Sequence, residues 1–228
     1  MAQHLQREID RLSKEILSLG AIVENSVGMA VKAIDDRDST LAEKVVNSDM
    51  QIDRAEVDLE ENCLKVLALN QPVAIDLRFI IAVLKINNDL ERIGDLAVNI
   101  AERVKFLSVQ PRIKVPYNLE ELVEKTRWML RKSLDSLVKL DTSIAKQVCT
   151  ADDEVDAINR DMYDLVKEAI RANPEHLDVL IPYLSVSRYL ERIADHATNI
   201  AEDVIYMVDG VIARHRPEEL QTNSDKKI

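Results

Sequence analysis

Residues Glu91–Glu102 read ERIGDLAVNIAE, and Glu191–Glu202 read ERIADHATNIAE, with nine of twelve positions identical at a spacing of 100. Two further matches lie upstream of each copy. Asp49-Met-Gln-Ile-Asp53 recurs as Asp152-Asp-Glu-Val-Asp156, and Asp38-Ser-Thr-Leu-Ala42 as Asp141-Thr-Ser-Ile-Ala145, both at a spacing of 103. A three-residue length difference between the second and third helices accounts for the change of spacing. Each copy spans about half the chain, so the period describes a duplicated domain and not a short solenoid unit.

Each half reads as helix. The whole chain of 228 residues has four Gly and six Pro, the two residues that interrupt regular structure. Ala, Leu, Glu, Lys, Arg and Ile fill most of the rest, and all except Ile are strong helix formers. Caps and breakers set the boundaries. A first helix is expected over 5–34. Asp38, Ser39 and Thr40 start a second, which ends near Leu69 before Asn70-Gln71-Pro72. A third runs from Pro72 or Val73 to Leu107. Asn118 with Glu121 forms a capping-box start for a fourth, to Leu140. A fifth covers 142–171, and Asn173-Pro174 opens the sixth, which Pro182 should kink or delay and which ends near Val208. The expectation is an all-α protein of two tandem three-helix, up-down-up bundles at 5–108 and 118–214. A linker at 109–117 joins them, and a polar tail at 215–228 is expected to be disordered.

The third helix repeats apolar residues at Val83, Ile86, Leu90, Ile93, Ala97, Ile100, Val104 and Leu107. The sixth repeats them at Val186, Leu190, Ile193, Ala197, Ile200, Val204 and Met207. Phe79, Phe106, Trp128, Tyr189 and Tyr206 are expected to fill cores or a dimer seam, cores first.

The same wheel places acids. Glu91, Asp95 and Glu102 lie nearly opposite Ile93, with Asn88 and Asn99 on the border. Glu191, Asp195 and Glu202, with Asn199, repeat the arrangement. An E-x-x-x-D pair stacks two carboxylates one turn apart, where they repel unless a cation joins them. The second helix adds Asp49, Asp53, Glu56 and Glu60, and the fifth adds Asp152, Asp153 and Asp156. If the helices lie side by side, both acid rows converge on one groove. All-oxygen donors favour Mg, Mn, Ca or Fe ions over Zn. The competing reading is a solvated acid row, with Arg92 and Arg192 neutralising their neighbours.

Charge and composition exclude other classes. With 30 Lys+Arg against 41 Asp+Glu the net charge is −11, which repels nucleic-acid backbones and anionic membranes and attracts basic protein partners. Cys63 and Cys149 make no CxxC motif, suit a reducing compartment and should pack as small apolar residues. The start, MAQHLQREID, has no signal-peptide core. The longest apolar run, Phe79–Leu84, is far short of a membrane span. A soluble, cytoplasmic protein is expected. His196 reads as a packing or surface residue, and His4, His176 and His215 have no evident partners. With no Gly-rich phosphate loop and no supported triad, an enzyme is not expected.

Taken together these residues resemble the PhoU family. The likeness rests on Glu91-Arg-Ile-Gly-Asp95 and Glu191-Arg-Ile-Ala-Asp195, each followed by Asn-Ile-Ala-Glu, and on Gln71-Pro-Val-Ala-Ile-Asp-Leu-Arg78. Arg214-His215 adds to it, and the likeness covers roughly residues 5–216. The resemblance implies two three-helix bundles with metal motifs at Asp49, Asp53, Glu91 and Asp95, and at Asp152, Asp156, Glu191 and Asp195. Glu56, Asn99, Glu102, Asn199 and Glu202 are further ligand or outer-sphere candidates. Ala194 stands where the family commonly has Gly; Ala suits a helix better, so little structural effect is expected unless close backbone approach is needed there. The resemblance also implies a homodimeric adaptor between a PstB-like phosphate transporter ATPase and a PhoR-like sensor histidine kinase. Such an adaptor meets the membrane only through those partners and restrains the phosphate-starvation response and uptake. Two rivals are a structural helical scaffold and a carboxylate-bridged di-iron enzyme. The second lacks its Glu-x-x-His pairs, because positions 94 and 194 are Gly and Ala.

Overall fold

The computed structural model describes residues 2–116 and 118–210. The expected tail at 215–228, the end of the second unit at 211–214 and the Arg214-His215 motif lie outside the described residues. Six long helices carry the chain: α1 (Ala2–Asp36), α2 (Ser39–Asn70), α3 (Ala74–Leu107), α4 (Leu119–Lys139), α5 (Thr142–Ala172) and α6 (Leu177–Asp209). A short 3-10 turn, Pro174–His176, precedes α6. There is no strand among the described residues.

The two halves use the same start signal. Asp38 Oδ1 accepts from the backbone N–H of Thr40 at 2.9 Å and of Leu41 at 3.0 Å, and Asp141 Oδ1 accepts from Ser143 at 2.8 Å and Ile144 at 3.3 Å. Each such cap is worth about 1 kcal/mol. Four expectations need correction. The first helix starts at Ala2, earlier than Leu5, and runs to Asp36. α3 starts at Ala74, because Pro72 and an extended Val73 hold the preceding backbone out of the helix. Asn118 makes no side-chain cap bond, so the capping box does not form. Pro182 does not delay α6, which begins at Leu177 and runs through it. The N–H that Pro182 lacks would have served the carbonyl of Asp178, only one residue into the helix.

Within each half the three helices pack on one another, and α3 also packs along α6. α3 and α6 are antiparallel. Lys85 reaches Asp203 at 3.2 Å, Asp89 reaches His196 at 2.8 Å, and Arg78 at the start of α3 lies against Gly210 at the end of α6. α2 packs on α3 and α5 on α6, while α1 packs on α2, α3 and α4. The helices therefore form two layers, α2–α3–α6–α5 in front and α1 with α4 behind. A half-turn about the middle of the α3–α6 seam exchanges the halves. One continuous apolar core runs through both bundles, including Leu12, Ile86, Ile93, Met129, Val186 and Ile193.

The seam uses a second stripe on α3, in which Ala82, Asp89 and Leu96 are buried at seven-residue spacing, and its counterpart Asp203 on α6. α1 is long and apolar enough to cross a membrane, but its apolar stripe, Leu12, Ile16, Leu19, Val23, Val27 and Ile34, is buried in the core. The core expectation holds for the aromatics only in part, with Phe79 and Tyr189 packed against the core from its edge. Phe106 and Trp128 are exposed, and Phe79, Tyr189 and Tyr206 are only half-buried. The interior is filled by aliphatic side chains instead.

Candidate metal centres

The front layer brings the two acid rows of each bundle together. On α3 the core, α2 and α6 take the faces near Ile93, Gly94 and Asp89, which leaves Glu91 and Asp95 pointing away from the α1–α4 layer. Glu191 and Asp195 on α6 do the same. Both grooves thus open on one side of the molecule at the same height.

In the first groove, α2 supplies Asp49, Asp53 and Glu56 and α3 supplies Glu91 and Asp95. They are close enough to disturb one another. Burial pushes the Asp49 carboxyl up, and the charges of Asp53 and Asp95 push it further. Burial and then Asp95 raise Glu91, against Arg92 and with Glu56 and Asp53. Burial, Glu60 and Asp53 raise Glu56. Arg92 bridges the α3 acids, Nε to Glu91 Oε2 at 3.3 Å and Nη1 to Asp95 Oδ2 at 3.5 Å. The neutralising-arginine reading therefore describes part of this groove.

The second groove is tighter. One carboxylate oxygen each from Asp156, Glu191 and Asp195 lies within 4.8 Å of the other two, the only such trio among the described residues. Burial and then Asp195 push the Asp152 carboxyl up to about 6, with Asp156 and Asp153 adding to the rise. The Thr198 hydroxyl opposes that rise by donating to Asp152 Oδ1 at 3.1 Å. Glu191 is raised by burial, then by Asp195 and Asp156. Asp195 is raised by burial, then by Asp156, against His196 and Arg192. Among the described residues Arg192 makes no ion pair with this trio, unlike Arg92. The donor set is all carboxylate oxygen, which fits a hard cation and offers no sulfur or imidazole to zinc.

The outer candidates divide. Asn199 donates to Asp89 Oδ1 at 3.2 Å and so belongs to the seam. Glu102 is exposed, Asn99 is half-buried, and Glu202 lies near Cys149. His196 is a seam residue, its Nδ1 lying 2.8 Å from Asp89 Oδ1. Burial pushes both thiols, Cys63 and Cys149, up to about 12, which leaves them as inert packing groups. Two contributors escaped the sequence reading. Thr198, where the first copy has Val98, is one. The other is Asn87, whose Nδ2 donates to the Glu56 carbonyl at 2.9 Å. Its repeat partner Ser187 donates to Asn159 at 3.0 Å. Both lie one helical turn before the first motif acid, a phase from which they could have been found.

A pH dependence follows. The folded carboxyl of Asp152 is raised above its unfolded value of 3.8 to about 6. The folded state therefore holds a proton that the unfolded chain has released, and stability falls as pH rises between about 4 and 6. Metal-free protein should melt at a higher temperature at pH 5 than at pH 7.5, and Asp152→Asn should flatten that difference. An equal slope in the variant would assign the effect elsewhere. Asp141, held low by the Ser143 hydroxyl, acts in the opposite sense and only below its unfolded value, outside this window.

The fold and its grooves define a duplicated helical-bundle protein whose polar chemistry is paired carboxylates. The PhoU domain model matches residues 16–104 and 119–204. The chain belongs to the PhoU family. It is 33% identical over 208 residues to the phosphate-specific transport system accessory protein PhoU homolog 1 of Thermotoga maritima, covering 91% of this chain and 90% of that one. It is 35% identical over 212 residues to the Aquifex aeolicus homolog, covering 93% and 96%. The crystal structure of PhoU from Pseudomonas aeruginosa superposes with a TM-score of 0.87 at 34% identity, covering 90% of this chain and 99% of that chain. The phosphate transport system regulatory protein PhoU from Streptococcus pneumoniae gives 0.81 at 28% identity, covering 91% and 98%.

Proposed function

We propose that this chain is a metal-binding cytoplasmic adaptor that restrains the phosphate-starvation response and phosphate uptake. It links the ATPase of a phosphate ABC transporter (PstB-like) to a sensor histidine kinase (PhoR-like), and it self-associates as a homodimer. The relatives named as phosphate-transport accessory and regulatory proteins support the role. The observation that carries the metal reading is the Asp156–Glu191–Asp195 trio, three carboxylate oxygens within 4.8 Å of one another.

Those three residues with Asp152 would hold a cation in the second groove, and Asp49, Asp53, Glu91 and Asp95 in the first. Mg, Mn, Fe or Ca suits them better than Zn. The ion would supply positive charge where the carboxylates now repel. The chain's own part is to hold the acid rows on one face, where their charge state alters what a basic partner surface meets. The exposed Phe106 and Trp128 offer apolar area for self-association.

The test is Glu91→Ala, Asp95→Ala, Glu191→Ala and Asp195→Ala combined. Bound metal by elemental analysis should drop to background, and pull-down of the kinase and ATPase from phosphate-replete cells should weaken. Unchanged metal content rejects the ligands. Lost metal with intact repression makes the metal incidental to regulation.

A further inference from the structure

Gly94 and Ile52 sit inside the acid motifs of the first groove, Gly94 between Glu91 and Asp95 and Ile52 between Asp49 and Asp53. A Cβ added to Gly94 would meet Ile52 Cδ1 at 3.0 Å and Ile52 Cγ2 at 3.2 Å, closer than ordinary van der Waals contact. The Ile52 side chain therefore packs straight onto the backbone of α3, and both residues are fully buried. The repeat register puts Val155 and Ala194 in these two places in the second bundle, again buried. The exchange is nearly atom for atom. The second bundle has the Cβ that the first lacks, and it lacks the Cδ1 that this Cβ would strike. The departure of Ala194 from Gly is thus matched across the helix interface.

We infer that Ile52 with Gly94, and Val155 with Ala194, are spacer pairs that fix how far apart the acid-bearing helices of each bundle stand, and so set the aperture of each carboxylate groove. Packed interiors do not absorb an added methyl group without movement. The atoms in the way belong to the buried Ile52 side chain, and where that side chain has no free space to turn into, the helix carrying Asp49 and Asp53 gives with it. These are positioning residues, and their effect on an ion rests on the metal reading above. Their effect on helix spacing does not.

The experiment uses the full chain with Glu191→Gln and Asp195→Asn, so that Mn²⁺ titrated by electron paramagnetic resonance reports the first groove. Gly94→Ala should weaken Mn²⁺ binding about tenfold, the size of effect seen when supports of metal ligands are disturbed. Adding Ile52→Val should restore it. Crystal structures should show α2 displaced from α3 in Gly94→Ala and returned in the double variant. Val155→Ile provides the same overpacking in the second bundle of the otherwise unaltered chain, should Gly94→Ala not fold, with Ala194→Gly as its rescue. Undisplaced helices overturn the inference, as does Mn²⁺ affinity that ignores a displacement. If the parent takes up no Mn²⁺, the metal reading of the first groove fails, and helix positions alone decide the spacer role.

Discussion

Replacing His196 with leucine should cost about 2 kcal/mol of folding stability, within the range lost when a buried polar group is deprived of a hydrogen-bond partner. His196 Nδ1 lies 2.8 Å from Asp89 Oδ1, with side-chain exposures of 18% and 7%. Asp89 also accepts from Asn199 at 3.2 Å, which softens the loss. The half-turn of the seam carries Asp89 onto Tyr189 and His196 onto Leu96, so the matching place in the other half has no carboxylate–imidazole pair. Asp89→Tyr with His196→Leu copies that half and should regain most of the stability, because the carboxylate that loses its imidazole partner is removed with it. Urea denaturation reads both variants. A His196→Leu protein as stable as the parent would mean that the pair contributes nothing to the seam.

Arg37→Ala should cost about 2–3 kcal/mol, near the upper range for hydrogen bonds from a charged donor. Arg37 lies in the α1–α2 turn with a left-handed φ of 55°. Its Nη1 donates to the carbonyls of Leu107 at 3.2 Å, Gln110 at 2.9 Å and Pro111 at 3.2 Å, at the end of α3 where the helix dipole is negative. The guanidinium also stacks 5.8 Å from the Tyr183 ring centroid on α6 and donates to its hydroxyl at 3.4 Å. One side chain thus ties the first turn, the inter-bundle linker and the second bundle together. Lysine keeps the charge but not the planar fork, and should recover less than half. Glycine should do better than alanine by about 1 kcal/mol, because it accepts the left-handed backbone. Thermal melts of the three variants separate the contributions. Full stability in Arg37→Lys would reduce Arg37 to a point charge.

The helices were legible because their start signals are local. Asp38 and Asp141 announce α2 and α5 through a side chain and two adjacent N–H groups. The acid rows were legible for the same reason, since helical phase follows from spacing alone. Phase does not reveal what lies opposite a face. Asp89 was passed over because a charged residue normally faces water, yet it is buried at the seam with His196. Its signal was there: Ala82, Asp89 and Leu96 fall seven apart, a second stripe beside the apolar one. The aromatic residues misled for a related reason. Their size suggests burial, but a core built from Ile, Leu, Val and Ala across two layers leaves them at its edges. Arg37 could not be found from spacing, because all its partners lie in distant segments.

The dyad inside the seam bears on counting. A single copy of this chain offers two equivalent halves, turned to the same side, as a symmetric pair of subunits would. A partner surface with its own twofold axis would meet both halves of one copy in register.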